Sequence, residues 1–164
     1  MKKRKRLQGL APIVDRNTKV LILGSFPGRM SLEKKEYYGN PRNHFWKIIS
    51  QILDNPYTDV YSKKVNMLKA GGVGLWDVVR SCHRQGSSDN NISAARLNNF
   101  KKLLHKYPDI KAIFVNGKKA YGLFCAFCVD IKLPIECLPS TSPANAGQSY
   151  AYKKKKWRNI AAKI

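Results

Sequence analysis

The side chains able to do chemistry concentrate in one stretch, Leu21 to Trp46, LILGSFPGRMSLEKKEYYGNPRNHFW. In it Gly24-Ser25-Phe26-Pro27-Gly28 interrupts an apolar run. Its glycines and proline let the backbone turn sharply and approach a ligand closely, while Ser25 and nearby amides offer donors. Tyr37-Tyr38 and Asn40-Pro41-Arg42-Asn43-His44 then lead into Phe45-Trp46. Aromatic faces, amides and an arginine together suit a flat heterocycle held beside a phosphate backbone. His44 is a weaker candidate, as acid or electrophile. Asn116, at the tip of AIFVNG, could offer its amide to the Watson–Crick edge of a base. Asn-Gly is equally a turn signal, and both readings stand. Pro139-Ser140-Thr141-Ser142-Pro143-Ala144-Asn145 pairs stiffening prolines with hydroxyls and amides that can grip phosphates, although composition alone favours an irregular surface loop.

These segments need a scaffold that brings them together. Val20-Leu21-Ile22-Leu23 reads as a strand buried on both faces. Arg42 to Leu53 places Phe45, Ile48, Ile49, Ile52 and Leu53 at helical spacing. A short helix over Val65 to Ala70 precedes a second strand, Val73 to Val79, which empties into a polar loop from Arg80 to Asn91. Asn98 to Tyr107 is expected to be an amphipathic helix, Ala112 to Val115 a third strand, Lys118 to Val129 a helix and Ile135 to Leu138 a fourth strand. Tyr152 to Ile164 reads as a terminal helix with Trp157, Ile160, Ala161 and Ile164 inward. Alternating strands and helices predict an α/β fold, a three-layer α/β/α sandwich around a four-stranded parallel sheet. Loops after Leu23, Val79, Val115 and Leu138 then leave the same sheet edge, where open α/β sheets bind ligands.

At 164 residues the chain reads as a single domain, 1–164, large enough for a proper core, with Met1 to Arg6 as a mobile basic arm. Its 31 Lys and Arg against 10 Asp and Glu give a formal charge of +21, which points to a polyanionic partner, nucleic acid ahead of an anionic membrane surface. No apolar run reaches membrane-span length and no signal peptide opens the chain, so the expectation is a soluble, monomeric, cytoplasmic protein at the nucleoid. Cys125 and Cys128 have metal-site spacing, but they lie in an apolar helical stretch without a second close Cys or His pair. Together with Cys82 and Cys137 they are read as buried structural thiols, with no metal or cofactor expected and a metal or iron–sulfur site as the minor alternative. Arg29, Arg42, Arg80, Arg84 and Lys153 to Arg158 are candidate basic grips, although for each a solvated charge is the favoured reading over a specific contact.

GSFPG followed by YYGNPRNHFW, with LPSTSPAN near the end, resembles the hypoxanthine-DNA glycosylase branch of the uracil-DNA glycosylase superfamily. The first half is also similar to mismatch-specific uracil and thymine DNA glycosylases, whose loops read G-x-N-P-G and F-A-H-P-x-N-x-F-W. The resemblance implies that a damaged nucleotide is flipped out of the duplex and its N-glycosidic bond hydrolysed to leave an abasic site. By the same resemblance Tyr38 stacks on the flipped base in a pocket formed with Gly24, Ser25, Phe26, Pro27 and Phe45. Asn43 and Asn116 are the implied catalytic residues. Gly28, Arg42, Ser140, Thr141, Ser142, Pro143 and Asn145 are the implied DNA contacts. Double-stranded DNA with a deaminated base is the implied partner, with single-stranded DNA as an alternative.

The pattern departs from its relatives in two places. Phe26 stands where mismatch-specific relatives carry an amide, and Leu138 stands where the uracil-specific branch has a histidine. Asn43, with Asn116, is therefore expected to take over water or leaving-group contacts, and the Phe26 backbone to help bind the base. Loss of the first-loop amide is typical of the hypoxanthine branch, so the resemblance implies deoxyinosine, ahead of uracil, xanthine or mismatched thymine. A catalytically silent DNA-binding module would explain the charge equally well. A nucleotide-binding domain fits poorly, because GSFPG is not G-x-G-x-x-G and no Walker lysine follows.

Overall fold

The computed structural model describes residues 6–128 and 130–164. Its strands are β1 (Leu7–Gln8), β2 (Val20–Gly24), β3 (Val73–Asp77), β4 (Val79–His83), β5 (Ser93–Leu97), β6 (Ala112–Asn116) and β7 (Ile135–Leu138). Four of them form a parallel sheet in the order β3-β2-β6-β7. The chain runs from β2 outward to β3 and then returns to the other side of β2 with β6, so the strand order reverses between β2 and β6. Beyond the carboxyl ends of strands at such a reversal, the connections diverge and leave a crevice.

The layers follow from the two-residue period of β2. Val20 and Ile22 join one core with Phe45, Ile48 and Ile49 of α2 (Phe45–Ile52), Met67 and Leu68 of α3 (Tyr61–Ala70), and Trp157 of α6 (Tyr150–Trp157). Leu21 and Leu23 face the opposite core, built with Phe100 and Leu103 of α4 (Phe100–Lys106) and Ala120 and Phe124 of α5 (Lys118–Phe127). Alternate residues of one strand thus bury against different helical layers, which is why β2 is apolar throughout. A further short helix, α1 (Arg29–Lys34), follows the first loop.

The expected α/β sandwich is present, with several corrections. Val79 does not end the second parallel strand. Val79–His83 is β4, the central strand of a separate antiparallel sheet β1-β4-β5. Part of the expected Arg80 to Asn91 loop is therefore strand, and only its remainder is loop and a turn of 3-10 helix. β5, SAARL, is almost wholly exposed, so no apolar alternation marked it. The helix after the main loop begins at Phe45 rather than Arg42, and α3 begins at Tyr61 rather than Val65. The terminal helix stops at Trp157 and tightens into a 3-10 turn; Ile160 is buried, but Ala161 and Ile164 are exposed. Met1 to Lys5 of the expected arm and Val129 of the expected helix lie outside the described residues. Arg6 is seen, donating to the Ala94 carbonyl at 2.9 Å.

Candidate active site

Gly24, Asp77, Asn116 and Leu138 end the parallel strands and line one open cleft of about 1130 Å³. Gly24 pairs with Asp77 and Asn116 with Leu138 in the sheet register, so the cleft floor is fixed by the ladder itself. Gly24 is required there: a Cβ would fall 2.6 Å from Asp77 Oδ1. Gly117, at φ +99, turns the chain out of β6 in a conformation that favours glycine.

Tyr38 is held at φ 52, unusual for a residue with a side chain, and stacks on Phe45 with ring centroids 3.9 Å apart. Phe45 is fully buried beneath it. The expectation that Phe45 lines the pocket is therefore corrected: it backs the Tyr38 ring, and Tyr38 lines the cleft. Asn116 Nδ2 donates to Tyr38 Oη at 3.1 Å and to Thr141 Oγ1 at 2.9 Å. The Thr141 amide, which can only donate, gives 2.9 Å to Asn116 Oδ1 and so fixes the amide's orientation. Both Asn116 N–H groups are thus spent within the protein. Its geometry is that of a hub holding Tyr38 and Thr141 in place, with one Oδ1 lone pair left for a ligand. Thr141 extends the hub by accepting the His44 amide.

Asn43 is arranged differently. Its Oδ1 accepts the Phe45 amide at 2.9 Å, an Asx turn that starts α2. That bond orients the side chain, and Nδ2 makes no bond among the described residues. Since Asn43 also lines the cleft, it offers a positioned, unspent donor. His44 lies outside the cleft lining; its ring meets Tyr150 edge-on, and burial, then Lys153 and Lys47, lower its pKa.

Ser25, Phe26, Pro27 and Gly28 all contribute to the cleft wall. The Phe26 ring, however, is buried with Val79 and Cys82 in the core of the small sheet. Arg84, one of the candidate grips, is likewise corrected to a strap. Its guanidinium lies 5.0 Å from the Phe26 ring centroid and donates to the Pro27 carbonyl at 2.6 Å. The adjoining segment closes the wall: Ser87 Oγ accepts the Arg29 amide at 3.0 Å, and Ser25 Oγ donates to Asp89 at 2.5 Å.

Asp77 was not anticipated as a site residue. It is 5% exposed, lines the cleft, and its Oδ2 has no hydrogen-bond partner among the described residues. Burial first, then Asp89, push its pKa up from 3.8 to about 7, with Arg84 opposing. The available signal was an acid inside the apolar run VGLWDVV. Ser87 and Asp89 were also missed, because nothing in SSDNN marks it as more than a polar loop.

Opposite this wall, the 140–145 loop braces itself. Ser140 Oγ accepts the Ser142 amide, Ser142 Oγ accepts the Ala144 amide, and Asn145 Nδ2 donates to the Ser140 carbonyl. Each hydroxyl serves as an acceptor and keeps its proton to offer. Lys153 is corrected from exposed grip to buried brace, donating to the Asn145 carbonyl at 2.9 Å. Lys118 and Lys156 reach the cleft rim, whereas Arg42 is exposed and outside the lining. Of the four cysteines only Cys82 is buried; Cys125 is exposed, which corrects the reading of all four as core thiols. No cluster of three or more potential metal ligands occurs among the described residues, and no described helix is long and apolar enough to cross a membrane.

The same architecture is found in known proteins. A solution NMR structure of a candidate uracil DNA glycosylase from Methanosarcina acetivorans superimposes with a TM-score of 0.84 at 34% sequence identity, covering 96% of this chain and 97% of that one. A protein of that organism named hypoxanthine DNA glycosylase is 37% identical over 139 residues, 84% of this chain and 87% of the relative. A protein of the same name from Methanosarcina barkeri is 39% identical over 114 residues, 69% of this chain and 72% of the relative. The Uracil DNA glycosylase superfamily profile matches residues 11–162, a span that holds every cleft residue described above. With its switch-point cleft, first-loop motifs and braced final loop, this chain belongs to the uracil DNA glycosylase superfamily.

Proposed function

We propose that this protein removes hypoxanthine, and more slowly uracil or xanthine, from duplex DNA by hydrolysing the N-glycosidic bond of a nucleotide flipped into the cleft. DNA glycosylase chemistry for deaminated bases is common ground for this superfamily and for the relatives matched. The choice of hypoxanthine is supported by the names of those relatives and by the first-loop phenylalanine. A monomer is the active form in this reading, which the presence of all the cleft residues on one chain supports.

The observation that carries the reading is the juxtaposition of Tyr38 and Asn43 in one cleft. Tyr38, backed by Phe45, presents a rigid aromatic platform to a base, and stacking is tolerant of base identity. Asn43 lines the same cleft, and its Nδ2 is a donor with no bond among the described residues. A dissociative cleavage builds negative charge on the departing base and positive charge on the sugar, so a pre-oriented donor stabilises the transition state more than the ground state. The self-braced 140–145 loop offers hydroxyl donors to the strand, and Lys118 and Lys156 supply cationic rim. Phe26 takes no part through its side chain, because that ring is committed to the small-sheet core.

The test is cleavage of labelled duplexes carrying a single hypoxanthine, uracil, xanthine or mismatched thymine, followed by alkali to break abasic sites. Lesion-dependent product, greatest for hypoxanthine, is the expected result. Binding of every duplex without cleavage of any would replace this reading with a silent DNA-binding module.

A further inference from the structure

We propose that Asp77 acts as the general acid for purine lesions, delivering its carboxyl proton to a free ring nitrogen of the departing base. This rests on the reading above that a deaminated purine occupies the cleft.

Asp77 ends β3 on the cleft floor, beside a glycine whose missing side chain makes room for its carboxyl group. One oxygen, Oδ2, is buried and unpartnered. An unpaired buried polar atom is costly, and such an atom at a cleft wall is a functional outlier unless a ligand completes it. The groups that face it are known. Asp89 and Arg84 approach from the segment between β4 and β5, and Tyr38 from the loop after α1. Tyr37 is also near enough to feel its charge. Burial and Asp89 favour the neutral acid against the weaker pull of Arg84, so the carboxyl group holds its proton up to about pH 7.

The chemistry explains why such an acid belongs in a purine-directed site. Uracil can leave as an anion spread over its carbonyl oxygens, for which hydrogen-bond donors suffice. A purine leaving from N9 departs more readily if N7 or N3 is protonated, because it then leaves neutral. In the proposed step the C1′–N9 bond breaks with its electron pair passing to the purine, and the Asp77 proton moves to the ring nitrogen. Water adds its oxygen to C1′, and the proton it releases restores the acid. An acid with pKa near the working pH is the efficient choice for this transfer.

The experiment measures single-turnover excision of hypoxanthine and of uracil from pH 5.5 to 9, for the wild type and for Asp77→Asn. Asparagine keeps the shape and can donate a hydrogen bond, but it cannot transfer a proton. The wild-type hypoxanthine rate is expected to fall about tenfold per pH unit above about pH 7, with uracil excision less affected. Asp77→Asn should lower hypoxanthine excision roughly 10²- to 10⁴-fold near pH 6.5, flatten its pH profile, and change uracil excision by less than about tenfold. Stability provides an independent check that the variant folds. A raised folded-state pKa means that the native state binds more protons than the unfolded chain between about pH 4 and pH 7, so native stability falls across that window. Asp77→Asn should therefore melt higher than the wild type at pH 8, with the advantage vanishing toward pH 4. An unchanged profile in the variant, or equal losses on both bases, overturns the general acid alone. A wild type that cleaves no hypoxanthine overturns the functional reading and this step with it.

Discussion

The two walls of the cleft are built on different principles. On one side, Tyr38, Asn43, Asn116 and Thr141 form a neutral network of amides, hydroxyls and one stacked ring, backed by fully buried Phe45 and Trp157. On the other, Asp77 and Asp89 bring carboxyl groups into a chain whose net charge is +21, and the wall is fastened by Arg84, Ser25 and Ser87. The neutral wall can be rigid because Tyr38, Asn116 and Thr141 bond one another over a packed core, and its unspent donor, Asn43 Nδ2, is carried on a side chain that the Phe45 amide orients. The acidic wall leaves one carboxyl oxygen unspent, which makes it responsive to protons and to the ligand. Platform and donor thus sit on the side that should not change, and the titrating group on the side that can.

Substitutions test that division, beginning with the largest effect. Asn43→Ala removes the unspent donor and is expected to lower single-turnover excision about 10²- to 10³-fold, comparable with loss of one oxyanion donor, while DNA affinity stays within a few-fold. Separate measurement of rate and binding checks this, and a loss confined to binding would move Asn43 from chemistry to grip. Asn116→Ala strands the buried Thr141 amide and releases Tyr38, at a cost of about 1–3 kcal/mol. Denaturant unfolding reads that cost, and excision should fall for every base alike, because the platform rather than base selection is disturbed. Ser87→Ala removes only the exposed acceptor for the Arg29 amide, so stability should change by about 1 kcal/mol or less. If it nevertheless alters the hypoxanthine-to-uracil ratio, the acidic wall selects between bases.

The sequence was informative where local chemistry and burial agree. Val20 to Leu23 reads as a strand between two layers from its short apolar length and β-branched content, and it is one. Asn43 was visible from its motif, and its Asx turn is a local event. Asp77 was hidden for the opposite reason: within VGLWDVV a single acid looks like an interruption, and only pairing with Gly24 shows that it faces a cleft. β5 was hidden because SAARL is held by pairing with β4 and not by an apolar face. The destination of the Phe26 ring in the small-sheet core needed β4, which composition alone presented as loop.

The sequence by itself determined the strand and helix alternation, the parallel sheet and the loops that meet at its edge, because hydrophobic periodicity and turn residues act over a few positions. It also determined the family to which those loops belong, through motifs that each lie within one segment. Only the tertiary structure decided which donors remain free and where a carboxyl group can keep its proton. Asn116 Nδ2 is spent on residues 78 and 25 positions away, and Asp77 is governed by burial and by charges from another sheet. Hydrogen-bond saturation and desolvation depend on neighbours in space, which the order of residues along the chain does not specify.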